Sequence, residues 1–321
     1  MPVEFVIGFQ EDWLRFCFCE LRRMIASCVF RFKDKRLANA IHLGFEKIDT
    51  HTRIEIATYY YNVIARLFES KPRGVIECEG FMCPEELREG YLALKKDITC
   101  GNQLLARMSR KIRQIDYSDG MFNDWGITHF HLGTSMQSDG VQYNGGLMVA
   151  YAYVADDNVY MLEIGAHGQW DNRRLLQKLI QEHGHAINRC KTYGDFNDIK
   201  QDNRDIRRQL RESNINLITN ICGENFLPAN LVVKDGTLVK AHCCLQNTLN
   251  ELHNFENAVK EQINAIVAIA ERSSAPLTPT IEINLFARVD MIDKVIYLAQ
   301  IGAGLGIARY DGTVLDISPS S

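Results

Sequence analysis

Apolar residues in the first third of the chain recur mostly at three- and four-residue steps. Between Leu37 and Phe68 the series is Ile41, Phe45, Ile48, Ile56, Tyr60, Ile64 and Phe68, a spacing that predicts a helix. Lys71-Pro72-Arg73-Gly74 ends it. A second helix is predicted after Pro84, with Glu85 and Glu86 in its first turn and Leu87, Tyr91 and Leu94 on its apolar side. Gly101 interrupts the pattern. A third helix is predicted from Asn102 to Ile115, with Leu104, Leu105, Met108, Ile112 and Ile115 as its stripe.

The period then shortens to two. Trp125 to Leu132 alternates as a strand does, Leu147 to Val154 is rich in β-formers, and Val159 to Ile164 follows the turn residues Asp156-Asp157-Asn158. A helix is expected from Asp171 to about His183, and a basic amphipathic one from Asp195 to Ser213. Short strands are expected at Ile215–Ile221 and Leu231–Val239. A long helix is expected over Gln246–Arg272, a Pro/Ser connector at Ser273–Pro279, and strands around Ile281–Phe286, Lys294–Ala299 and Gly306–Ile317. The predicted class is α+β: helices on an antiparallel β-meander, then a second α+β region built around a long helix.

The length of 321 residues suggests about two domains. The expected cut lies between 190 and 202, giving 1–195 and 196–321. Hydrophobic residues at 46% and charged residues at 24% exclude a disordered or fibrous chain. With 36 basic against 40 acidic residues, nucleic-acid binding would need a local patch. The uncharged stretch Val295 to Ala308 falls short of the ~20 residues of a membrane span, so no membrane partner is expected. MPVEFVIGFQEDW lacks a basic leader, so a secretory signal is not expected. None of the ten cysteines forms a C-x-x-C pair, which disfavours zinc ribbons and thioredoxin-type motifs. Reduced thiols in a cytoplasmic protein are the expectation.

The candidate chemistry lies in the meander. His129 and His131 are two apart, so one strand face carries both, and Phe130 takes the other. His167 follows the end of a strand two places later, which could bring it to the same sheet. An imidazole titrates near neutrality, at about 6.5, so two or three together can pair as acid and base or hold a metal. Gly126, Gly133, Gly165 and Gly168 leave room for close approach. Two core rings satisfied by backbone carbonyls are the plain alternative. Basic residues cluster nearby in sequence at Arg107/Arg110/Lys111/Arg113, at Arg173/Arg174/Lys178 and at Arg204/Arg207/Arg208/Arg211. Arginine suits bidentate phosphate contacts, although such runs are commonly solvated helix faces.

Over residues 84 to 185, helices followed by an antiparallel meander and a strand-end histidine resemble the RelE-type and barnase-like ribonuclease toxins of bacterial conflict and antiviral defence. The resemblance implies metal-independent cleavage of RNA with no cofactor. His129 or His131 would be the base and His167 the acid. Arg173 or Lys178 would clamp the phosphate, and Arg174, Trp170 and Arg110 would complete the substrate contacts. RNA is the expected partner; an inhibitor or other partner protein and self-association stay open. Those toxins are small single domains, and the flanking regions here have no counterpart in them.

Two other readings stand beside it. His129, His131 and His167 could supply three nitrogens to a metal with a position left for water. A cupin also begins with H-x-H, but its following Glu is replaced by Thr134, Ser135 and Met136. A non-catalytic interaction protein is the third reading, with Tyr59-Tyr60-Tyr61, Trp13, Phe16 and Phe18 as contact surface or, more plainly, core.

Overall fold

The structure, a computed structural model, describes residues 4–27, 29–138, 140–169, 172–194, 204–262, 264, 268, 280–291, 294–301, 306–310 and 315–318; for 4–6, 204, 205 and everything from 280 onward, only the backbone. In chain order the elements are β1 (Glu4–Ile7), α1 (Phe9–Ala26), α2 (Lys35–Leu43), α3 (Thr50–Arg66), β2 (Gly74–Glu77), α4 (Arg88–Cys100), α5 (Gly120–Trp125), β3 (Ile127–His131), β4 (Met148–Val154) and β5 (Asn158–Ala166). Then follow α6 (Arg173–Ile187), β6 (Lys191–Thr192), α7 (Arg204–Glu212), β7 (Thr219–Ile221), β8 (Glu224–Phe226), α8 (Val239–Glu261), β9 (Thr280–Met291), β10 (Lys294–Ile301), β11 (Gly306–Tyr310) and β12 (Leu315–Ser318). The class is α+β.

Two compact units arise. One is made of Met1–Arg23, Asn39–Ala57 and Cys243–Ser321; the other of Met24–Ala38 and Thr58–His242. The expected cut at 195/196 falls on residues 195–203, outside the described ones, and Arg204–His242 groups with the unit that carries the histidines.

In the first unit β1 pairs in parallel with β9, and β9 to β12 form an antiparallel meander. Helix α1 buries Phe9, Trp13, Leu14, Cys17, Phe18 and Leu21, a stripe at helical spacing, and Phe9 packs on Phe255 of α8 at 4.6 Å. Helix α8 starts at Val239, seven residues before the sequence suggests. The Lys234-Asp235-Gly236 turn prepares that start: Asp235 Oδ1 accepts from the N–H and hydroxyl of Thr237 at 2.8 and 2.6 Å, and Asn62 Oδ1 accepts from Leu238 N–H at 2.9 Å. Asp235 thus fixes the turn just ahead of the helix, and Asn62 takes the N–H of the residue at its cap position. The strand expected over 231–239 reduces to one bridge, Val232 with Leu238. The end expected at Arg272 lies outside the described residues.

The second unit is organised by a four-stranded sheet in the order β2-β5-β4-β3. Strands β3, β4 and β5 form the predicted antiparallel meander, and β2 adds in parallel to β5. Alternation divides the apolar residues between two faces. Ile127, Val149, Tyr151, Tyr153, Tyr160 and Leu162 pack with Leu175, Leu176 and Leu179 of α6. Phe130, Ala150, Ala152, Val159 and Met161 pack with Tyr91, Leu94 and Ile98 of α4. Each large apolar side chain buried this way contributes about 1.5–3 kcal/mol. Strands β7 and β8 join through a two-residue turn in which Cys222 and Gly223 both take positive φ, 52° and 82°, as a tight hairpin of this kind requires.

Three further expectations need correction. The apolar pattern from Leu37 to Phe68 is not one helix. Gly44, at φ +96°, breaks it into α2, a single 3₁₀ turn at Phe45–Lys47, and α3. The helix expected at Asn102–Ile115 is two 3₁₀ turns, Leu105–Arg107 and Arg110–Arg113, separated by an extended Met108. Two arginines of that stretch turn inward: Arg113 donates to Val141 O at 2.7 Å, and Arg107 pairs with Asp97 at 2.6 Å against the ring of Tyr143. Helix α6 runs on to Ile187, with non-helical backbone at His183 (φ −136°, ψ 37°).

Candidate functional site

His129 and His131 project from β3 to the face that α6 covers, opposite Tyr151 and Val149 of β4. Val149 in turn faces Gly165 of β5, where no side chain intervenes. The N–H of His167 donates to Leu147 O at 2.8 Å and extends the β4–β5 ladder by one step. Tyr151 fixes the loop that carries His167: its hydroxyl donates to Ala166 O at 2.8 Å and accepts from Gln169 N–H at 3.2 Å. Gly168, at φ +98°, makes the turn between them.

The three rings converge. Their centroids lie 5.7 Å (His129–His131), 4.9 Å (His129–His167) and 5.7 Å (His131–His167) apart. One ring nitrogen from each lies within 4.8 Å of the other two. His129 and His131 are 4% and 9% exposed, and His167 reaches solvent, so the trio has a buried floor and an open side. Burial, then the neighbouring imidazoles and Lys111, push His129 down to about 3. His131 is lowered as well, by burial first and then by His167 and Arg110. At neutral pH both rings are therefore uncharged lone-pair donors. His131 Nδ1 is buried without a hydrogen-bond partner among the described residues. A Cβ at Gly145 would stand 2.6 Å from that nitrogen, so only glycine leaves the ring its place.

No family model, curated protein or solved structure matches the chain.

The residues expected to hold phosphate scatter. Arg110 is exposed and near enough for its charge to act on His131, while its Nε donates to Gln142 at 3.2 Å. Lys111 acts in the same way on His129, and the basic run 107–113 was its only sequence signal. Arg173 instead donates to the carbonyl of Asn220, and Arg174 is exposed on the first turn of α6. Lys178 sits near Cys78, which follows β2, the strand at the opposite edge of the sheet from β3. Trp170 lies outside the described residues. Within the Arg204–Arg211 run, Arg207 is buried, and Arg211 bonds Asp124 and lies 4.6 Å over the ring of Trp125. Arg208, paired with Glu212 at 2.9 Å, reads as a solvated face.

A cleft of about 780 Å³ opens alongside, lined by Lys111, Gly168 (the residue after His167), Arg208, Asp116 and Asp119, among others. No helix among the described residues is long and apolar enough to cross a membrane, and no disulfide forms among the described cysteines.

Proposed function

We propose that His129, His131 and His167 bind a divalent ion of the zinc type and that the protein is a metal-dependent hydrolase of an anionic ester, with RNA phosphodiesters as the first candidates. One observation carries this reading: three imidazole nitrogens lie within 4.8 Å of one another, two on buried rings and one on a ring open to solvent. Three protein ligands with an open side are the arrangement of catalytic rather than structural sites. A bound ion supplies Lewis acidity and activates water near neutral pH. The chain's own residues do the rest. The two strand histidines stay unprotonated and hold their lone pairs ready, Tyr151 keeps the third in reach, and Arg110 and Lys111 attract a negative group to the rim.

A metal-free ribonuclease remains the second reading. The two cations beside the imidazoles support it as well, since they would suit a scissile phosphate whether or not an ion is present. The low proton affinity of His129 makes that ring a better ligand than base.

The test is zinc content and cleavage of bis(p-nitrophenyl) phosphate and of RNA, before and after chelation. Bound zinc that is lost in His129→Ala, together with cleavage that chelator abolishes and zinc restores, is the expected result. Chelator-resistant RNA cleavage would transfer the function to the metal-free reading. Absence of both metal and cleavage would defeat both.

A further inference from the structure

At the far edge of the same sheet face, Cys78, Glu182 and His183 form a second cluster. Cys78 leaves β2, while Glu182 and His183 belong to α6, and one ligand atom from each lies within 4.8 Å of the other two. Successive residues of a regular helix point about 100° apart and do not converge on one spot. Here the helix is interrupted at His183 itself, and its ring lies 4.6 Å from that of Tyr160. His183 Nε2 is buried with no hydrogen-bond partner among the described residues, and Glu182 Oε2 stands 4.0 Å away. Glu182 is held in turn, accepting the N–H of Glu79 at 2.6 Å. Tyr160 bonds the next histidine, with its hydroxyl 3.0 Å from His185 Nε2.

We infer that Cys78, Glu182 and His183 form a second divalent-metal site, of zinc preference, separate from the three-histidine cluster. The donor set of one sulfur, one nitrogen and one carboxylate oxygen is that of a borderline-soft ion. Zinc bonds of about 2.0–2.3 Å need donor atoms roughly 3.3–3.6 Å apart, which side-chain rotation over about 1 Å supplies. Binding replaces the thiol proton: the S–H bond breaks, the sulfur keeps its electron pair and bonds the ion, and the proton leaves to solvent. A thiolate and a carboxylate then balance the two positive charges. Metal uptake at this site therefore releases a proton.

The experiment is titration of the metal-free full-length protein with cobalt(II) chloride, read by absorption. A thiolate ligand gives a near-ultraviolet sulfur-to-cobalt charge-transfer band that a three-imidazole site cannot produce. The expected result is such a band in the wild type, its loss in Cys78→Ser, and its persistence in His129→Ala. In His183→Gln, which leaves the thiol in place, cobalt should bind at least tenfold more weakly. A folded wild type without the band, a band that survives Cys78→Ser, or unchanged affinity in His183→Gln each overturns the site. Because the band ignores the histidine trio, failure here is distinct from failure of the hydrolase reading.

Discussion

Gly145→Ala puts the three-histidine geometry to a direct test. The added methyl carbon would stand 2.6 Å from His131 Nδ1 and 2.9 Å from Cε1, where ordinary contact begins near 3.4 Å. The ring must therefore retreat by nearly 1 Å, and metal ligands need placement within about 0.5 Å. A loss of 10- to 100-fold in zinc affinity follows, the size typical of disturbing a ligand's immediate support, or about 1.4–2.7 kcal/mol. The neighbouring Gly146 supplies the control, because a Cβ there meets only Met148 N, at 3.9 Å. Gly146→Ala changes backbone entropy much as Gly145→Ala does, and should leave affinity unchanged while stabilising the fold by up to about 1 kcal/mol. Competition titration against a chromophoric chelator measures both affinities, and urea unfolding confirms that both variants fold. Equal zinc affinities in the two variants would refute the claim that His131 sits against Gly145 as a ligand.

Three further outcomes are expected. Tyr151→Phe removes the hydroxyl that joins Ala166 and Gln169, so it should cost about 1–2 kcal/mol in urea unfolding and weaken zinc binding several-fold, although no ligand is touched. Arg66 is buried and donates to the carbonyls of Gln114, Ile115 and Tyr117; Arg66→Met strands them and should destabilise the histidine-bearing unit by about 3–5 kcal/mol in the same assay. In the chelated protein, His129 binds its proton near pH 3 when folded and near 6.5 when unfolded, so the unfolded state takes up more protons across that window. Stability therefore falls on acidification below 6.5, by about 2 kcal/mol for this ring at pH 5, and His129→Gln should lose that much less than wild type between pH 7.5 and 5. Equal losses in the two proteins would remove burial of a neutral ring as the cause.

What the sequence disclosed follows from the range of the forces involved. The alternation in ITHFH and MVAYAYV sets strands whose two faces are both buried, so the pairing of His129 with His131 on one face was legible from period alone. The approach of His167 was legible too, because an antiparallel meander returns the end of β5 to the level at which β4 begins, beside the end of β3. Gly44 went unread as a break, since its neighbours keep a helical period across it. Arg107, Arg113 and Arg211 read as a charged surface; they turn onto a carbonyl, two carboxylates and two rings supplied from elsewhere in the chain. Cys78 gave no hint of Glu182 and His183. Their meeting requires β2 to cross over and pair in parallel with β5, and a four-residue strand carries too little pattern to announce that.

The interleaved path of the chain also sets an order of assembly. A ribosome delivers everything the histidine-bearing unit needs once His242 has emerged, so that unit can close while synthesis continues. The other unit must hold its first two pieces open until the final strands arrive, and no single cut of the polypeptide will release either one whole.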